Sequence, residues 1–326
     1  MDCNQITLKN SALYRLYAFF RKKKTNQDKK THNTITNSHE FKVSLKSNCE
    51  NKVIQNLFKQ IKPYEKAVTA LLHGSWADQT NNSFSDIDDF IILEKDKITS
   101  KKDFYKLISI LNKIDMSYCR IDPIQHHGHW LVCSEELKHY DNSFMPLFIM
   151  KDAKRIIGKS EIIAYVDDKK TQLGLKNNII NTCKNIERLY KKYHSNKINS
   201  YEMKCLVGSF ALVPSFVVQL QQLELNKPES IKHSIKLFSK EAYTCVAWAT
   251  NCRNNWTIVT NKKSFKMFKF LTRFCTNPHL WRRFSERYSP KIHFNDTKLL
   301  STIELKSNNV SCFLNETLKH LSTYES

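Results

Sequence analysis

The spacing of apolar positions changes along the chain and marks off three stretches. Residues 8 to 23 carry apolar side chains at helical spacing, and the polar run 24 to 42 has no sustained apolar period, which predicts a short amphipathic helix and a mobile linker. A regular pattern resumes near Glu50, where Val53, Ile54, Leu57, Phe58 and Ile61 recur at helical spacing before Pro63. "AVTALLH" (67 to 73) then reads as a strand stopped by Gly74. "IDDFIIL" (87 to 93) reads as a second, because β-branched and aromatic residues follow the turn-forming "NNSFS". A helix is expected over 101 to 114, then strand material at Met116 to Ile121 and at Trp130 to Cys133. Such an order makes a small mixed sheet with helices beside it.

From Pro146 onward the pattern predicts helices: Pro146 to Ile157, Thr171 to Tyr193, Tyr201 to Leu223, Pro228 to Ala249, and shorter ones near 263 to 275 and 296 to 320. With no strand pattern there, this half reads as a helical bundle. The expected fold is α+β: an N-terminal helix and linker (1 to 48), a small mixed-sheet domain with flanking helices (49 to 165) and an α-helical domain (166 to 326). A length of 326 residues suits two domains, each able to bury a core.

Composition narrows the class. The longest apolar run, Phe210 to Leu220, is interrupted by Pro214 and Ser215 and is too short to span a bilayer, and the N-terminus lacks a signal-peptide cleavage pattern. A soluble, cytoplasmic protein without a membrane role is expected, and its ten scattered cysteines should stay reduced. The net charge is +21, with 26 basic against 12 acidic residues from Val166 onward. That excess suggests a polyanionic partner, nucleic acid or a phosphorylated substrate, beside a general bias of the chain toward Lys, Asn and Ile.

The chemistry gathers in "HGSWADQTNNSFSDIDDF" (73 to 90). On a strand, side chains alternate between faces, so Asp86 and Asp88 point one way and Asp89 the other. Two carboxylates at this spacing oppose each other's ionisation unless a cation sits between them, and a divalent, oxygen-seeking ion such as Mg²⁺ satisfies both and can also hold phosphate oxygens. Gly74 at a strand end lets backbone approach a ligand, and the Ser75 hydroxyl can donate to phosphate; a helix beginning there would add its free N–H groups. Together these parts describe a metal-bound nucleoside triphosphate held between a Gly-Ser turn and an acidic strand.

"LHGS", ten residues, then "DID" resembles the motif of the polymerase β-like nucleotidyltransferase superfamily, and a small catalytic domain followed by helices resembles its minimal and antibiotic-modifying members. The resemblance covers about residues 50 to 165. His73 and Asp89 depart from it, since Asp89 stands where an apolar residue commonly follows the second Asp. It implies a third carboxylate on a neighbouring strand, best placed at Asp122 of "YCRIDPIQHHGHW"; Asp115 competes, but reads as a capping residue at a helix-to-strand turn. It also implies two Mg²⁺ ions, replaceable by Mn²⁺, held by Asp86, Asp88 and Asp122, with Asp122 as base. Gly74, Ser75 and Ser85 would bind the nucleotide, ATP first among the candidates. The implied reaction moves a nucleoside monophosphate to a hydroxyl of a small-molecule acceptor and releases pyrophosphate. RNA or protein acceptors, or a catalytically silent nucleotide- or nucleic-acid-binding member, are the alternatives.

Other signals are weaker. His126 and His127 directly follow the proposed third carboxylate and are candidates for substrate contact; in an extended segment His127 and His129 would share a face with Gln125. "AKRIIGKS" (153 to 160) matches a relaxed P-loop only without its first glycine, and its apolar spacing suits a helix ended by Gly158. Trp76 and Phe84 could stack on a base or pack in a core. "NKKSFKMFKFLTRFCTNPHLWRRFSERY" interleaves cations and aromatics, as an RNA-binding surface does, and as an amphipathic helix pair with a solvated basic face and an aromatic core face also does.

Overall fold

The computed structural model describes residues 38 to 45, 47 to 292 and 305 to 322, so the expected helix at 8 to 23 and most of the expected linker lie outside the described residues. The fold is mixed α/β, with a small mixed sheet and a helical C-terminal region. The chain forms two compact units. Among the described residues, the first takes those from 38 to 80, Asp86–Lys169 and Arg273–Arg282; the second takes Asn81–Ser85, Lys170–Thr272 and those from 283 on. Two short segments are therefore exchanged relative to a simple cut along the sequence.

In the first unit, strands β1 (Ser38–Ser44), β2 (Val68–His73), β3 (Asp88–Leu93), β4 (Trp130–Cys133), β5 (Lys154–Ile157) and β6 (Glu161–Asp167) make two sheets. The larger has the order β4-β3-β2-β5, with β2 antiparallel to β3 and β5, and β3 parallel to β4. Every residue of β2 is buried, and all but the first of β3, because both sheet faces are covered; that is why these strands read as apolar runs rather than as alternations. Ala70, Leu72, Ile91 and Leu93 pack against helices α1 (Lys52–Phe58) and α2 (Lys101–Ile121). Leu71, Phe90 and Ile92 pack on the other face, with Ile162, Ala164 and Val166 of β6.

Three expectations change here. The helix expected to stop at 114 runs on to Ile121, and no strand forms at 116 to 121. Leu107, Leu111, Ile114, Tyr118 and Ile121 hold the helical period throughout, and Asp115, expected at a turn, sits inside the helix with its charge met by Arg282. The helix expected over Pro146 to Ile157 is instead a 3₁₀ segment, Leu147–Asp152, followed by β5. Gly158 ends that strand at φ +88°, where an added Cβ would meet the Val68 carbonyl oxygen at 2.3 Å. β6 is a strand with strict alternation, and β1 pairs with it across Ser38 to Ser44, so residues 38 to 42 are not linker. Neither a glycine-rich turn nor a following helix is found at 153 to 160, as a P-loop requires.

The second unit contains α3 (Asp168–His194, which enters from the first unit), α4 (Ser200–Leu220), α5 (Lys227–Leu237), α6 (Lys240–Asn254), the short α7 (Thr257–Thr260), α8 (Lys263–Leu271), the C-terminal part of α9 (Pro278–Tyr288) and α10 (Ser307–Ser322). Capping boxes start α4 (Asn199 with Glu202) and α5 (Asn226 with Glu229). The stretch expected as one helix from Pro228 to Ala249 breaks at Phe238 and Ser239, where the Ser239 hydroxyl caps α6. Phe210 packs edge-on against Trp248 and Phe313, at 5.9 and 5.3 Å between centroids, and joins α4, α6 and α10. α4 corrects the reading of the apolar run: with Pro214 inside it, it is long and apolar enough to cross a membrane by length and composition, and 67% of that window is buried within the protein. No disulfide forms among the described residues.

Candidate functional site

The antiparallel register of β2 and β3 sets His73 opposite Asp88 and Leu72 opposite Asp89. His73 and Asp88 therefore share the face of Leu71 and Phe90, while Asp89 shares the opposite face with Leu72 and Ile91. Alternation thus separates Asp88 from Asp89 as expected, while Asp86 lies before the strand.

Gly74 follows β2 at φ +67°, and a Cβ added there would stand 3.4 Å from Asp88 Oδ2. The bare glycine and the second carboxylate of the motif are immediate neighbours. Gly74–Trp76 forms a single 3₁₀ turn, with the Gly74 carbonyl accepting from Ala77 and Asp78 N–H, so no α-helix begins at Ser75 or Trp76. Ser75 is half-buried, and its carbonyl accepts from Thr80 N–H.

The spacer between the two halves of the motif departs from a simple loop. Asn81–Ser85 belongs to the second unit. There Phe84 is buried, meets Trp256 edge-on at 5.0 Å, and has Lys204 and the Arg253 guanidinium each 5.4 Å from its ring centre. Ser85, expected at the nucleotide, exchanges hydrogen bonds with Asn82: Asn82 N–H donates to its hydroxyl at 3.1 Å, and its own N–H donates to the Asn82 carbonyl. Trp76 packs against the first unit's core, so both motif-flanking aromatics are packing residues here.

The loop Asp122 to His129 lies against the start of β3 and answers its acids one by one. His126 Nδ1 stands 3.3 Å from Asp86 Oδ2, and His127 Nε2 3.2 Å from Asp88 Oδ1. Asp86 and Asp88 retain 14% and 27% of their side-chain exposure. Between them, Gln125 accepts from Ile87 N–H at 3.1 Å and donates to the Ile87 carbonyl at 2.9 Å, so a side-chain amide stands where a strand partner would. His127 and Gln125 do not share an environment as an extended segment would require; Gln125 and His129 turn inward.

His129 is the third partner. Its Nδ1 lies 2.6 Å from Asp89 Oδ2 and its Nε2 2.9 Å from the Leu111 carbonyl, two acceptors, so both nitrogens carry protons. Burial opposes the charge of this imidazolium, but the Asp89 carboxylate overrides it and raises the pKa to about 9. Tyr118 donates its hydroxyl to the same Asp89 oxygen at 2.7 Å, and burial, then the Asp89 charge, raises its pKa well above the ordinary value. His73 has no such partner: its Nε2 is buried without a hydrogen bond, and burial lowers its pKa, which keeps the ring neutral.

Asp122 ends α2, where its N–H donates to the Tyr118 carbonyl and its Oδ1 accepts from Ile124 N–H at 3.1 Å. It is a helix-terminal residue rather than one on a strand.

The loop is fixed from behind by residues far along the chain. Trp281 Nε1 donates to the Pro123 carbonyl at 2.8 Å, and Arg282 donates to the His127 carbonyl at 2.8 Å while forking onto both oxygens of Asp115. This ion pair is buried. Burial alone would raise the Asp115 pKa, but the guanidinium holds it below the usual carboxylate value. Gly128 leaves the room, since a Cβ there would come within 2.5 Å of Asp115 Oδ2. Sequence reasoning missed Tyr118, Arg282 and the partners of His129. For the histidines the available signal was that three acids, Asp86, Asp88 and Asp89, are followed about forty residues later by three histidines, His126, His127 and His129; for Tyr118 and Arg282 there was none.

Asp88, beside a glycine without a side chain, and Asp86 just before it are partly exposed carboxylates that offer hard oxygen ligands, which suits Mg²⁺ or Mn²⁺. Among the described residues no group of three or more His, Cys, Asp or Glu side chains that could hold a metal ion is found. Comparison with known protein families, with characterised proteins and with solved structures finds no match to this chain.

Proposed function

We propose that the protein is a metal-dependent nucleotidyltransferase of the polymerase β-like type, which moves a nucleoside monophosphate from a nucleoside triphosphate to a hydroxyl of a small-molecule acceptor. The observation that carries this reading is the adjacency of Gly74 and Asp88 across the β2–β3 pair, with Asp86 two residues before Asp88 in the chain. A phosphate chain laid over Gly74 would lie directly beside the carboxylates.

In this reading Asp86 and Asp88 hold the divalent cation, with Asp122 as the third carboxylate that the resemblance implies. When bound, the cation neutralises the triphosphate and the departing pyrophosphate. Gly74 admits the phosphates, and the Ser75 hydroxyl donates to them. Gln125 fixes the backbone at Ile87 and so the separation of Asp86 from Asp88. His126 and His127 keep the two carboxylates oriented. The acceptor oxygen attacks the α-phosphorus in line; its bond to phosphorus forms as the bond to pyrophosphate breaks, and its proton passes to Asp122.

A silent nucleotide-binding role is the second reading, favoured by the histidine already standing at each of Asp86 and Asp88. Incubation with α-labelled nucleotides, Mg²⁺ and a cell extract separates the two. Label moving to a metabolite, with loss of transfer in Asp88→Asn, supports the enzyme; nucleotide binding without transfer supports the silent member.

A further inference from the structure

We propose that α8 and the adjoining second-unit part of α9 form a docking face for single-stranded nucleic acid. A basic amphipathic helix pair that merely solvates its charges would bury its aromatics. Here Phe265 and Phe268 are buried, but Met267, Phe270 and Tyr288 remain 68%, 47% and 59% exposed among the cations. Lys263 and Lys266 on α8, and Arg283 and Arg287 on α9, are exposed and have no ion-pair partner among the described residues. Glu286 is the single acidic residue between Asn261 and Lys291, and it is half-buried. Such a face presents its charge to a polyanion.

The rings indicate which polyanion. Phe284 stacks on the buried Phe268, with centroids 6.1 Å apart and planes within 5°, and Tyr288 follows one turn later at 5.0 Å from Phe284. Insertion into a lipid surface asks only for apolar area, with no ring orientation. Rings set by the core beneath them make a platform on which unpaired bases stack, while the flanking Lys and Arg meet the backbone phosphates. This binding does not depend on the transferase reading, because it needs neither nucleotide nor metal.

The test is fluorescence anisotropy of a labelled oligouridylate of about twenty nucleotides, longer than such sites require, titrated with the full chain in the absence of nucleotide and divalent metal. The expected result is salt-sensitive binding that Arg283→Glu with Arg287→Glu weakens about tenfold or more. Lys101→Glu with Lys102→Glu, an equal charge change at exposed positions on α2, should leave it within about twofold. Tyr288→Ala should weaken the single-stranded probe about tenfold while sparing a duplex of the same length. All variants alter exposed side chains, and circular dichroism checks that each is folded. Absence of binding, equal losses from the two charge reversals, or attachment to phosphatidylserine vesicles but not to the oligonucleotide would each overturn the proposal.

Discussion

Strand β3 has two faces, and one loop serves them in opposite ways. On the first face Asp88, and just before the strand Asp86, keep part of their contact with solvent and meet His127 and His126 at 3.2 and 3.3 Å. On the second, Asp89 is sealed from solvent and binds the His129 imidazolium at 2.6 Å together with the Tyr118 hydroxyl. A part-solvated pair at the longer distance is worth less than about 1 kcal/mol, and water or a ligand can take either partner's place. A buried, charge-assisted pair is held because either member left alone would be costly. The same residue types, one position apart, are therefore open to water on one side and sealed into the fold on the other.

The sharpest way to break that comparison is to neutralise each side in turn. Asp88→Asn should lower nucleotidyl transfer about a thousandfold, by removing charge where phosphate and cation meet. It should leave thermal unfolding nearly unchanged, because the position is half-exposed. Asp89→Asn should do the reverse, lowering the unfolding temperature through a stranded His129. If both variants lost stability equally with transfer intact, the division between the two faces would be wrong.

The buried Arg282–Asp115 pair behind the loop should be the most costly to cut. Arg282 cannot release its proton, so Asp115→Ala leaves a permanent buried charge and should destabilise by about 3–5 kcal/mol in denaturant titration at neutral pH. Asp89→Ala should cost less, because His129 can shed its proton and become a neutral buried ring. The order of the two losses is the measurement that matters: a larger one at Asp89 would mean that the first unit depends more on its histidine than on its arginine.

Much of this arrangement was legible in the sequence where period alone decides the outcome. The strands around Gly74 and the Asp pair, and the turning away of Asp89, follow from alternation and from turn residues. Legibility failed where a distant partner overrode a local sign. Asp115 looked like a turn residue because Asp commonly caps helix ends; inside the buried stripe of α2 its charge is instead met by Arg282, 167 residues away. β6 was missed although Ile162, Ala164 and Val166 alternate, because everything from Pro146 onward was read as helical with no strand pattern in it. Phe84 in the spacer shows a third limit, since its place among Trp256, Lys204 and Arg253 depends on residues that no local window contains.

The second face should also carry a pH signature that the first does not. The His129 pKa stands at about 9 against an ordinary 6.5. Its contribution to stability is therefore fully present below about pH 6.5 and is lost as pH rises through about 9. A rise of that size corresponds to about 3 kcal/mol. Chemical denaturation between pH 6 and 10, read at the first unit, should show this decline, and Asp89→Asn should remove it. A decline that persists in Asp89→Asn would have to come from another group.

The smallest effect separates the faces most finely. His127→Ala removes the partner of Asp88, yet a carboxylate with 27% of its side chain exposed can be rehydrated once the ring is gone, so the expected loss is below about 1 kcal/mol. The lost contact between His127 and Trp130, whose rings lie 5.2 Å apart, belongs to the same small sum. His129→Ala provides the contrast, because it strands Asp89, opens a cavity under Tyr118 and should cost several times more. If His127→Ala matched it, the loop would be holding Asp88 for the fold, and the exposed pair could no longer be read as ligands kept ready for an incoming cation.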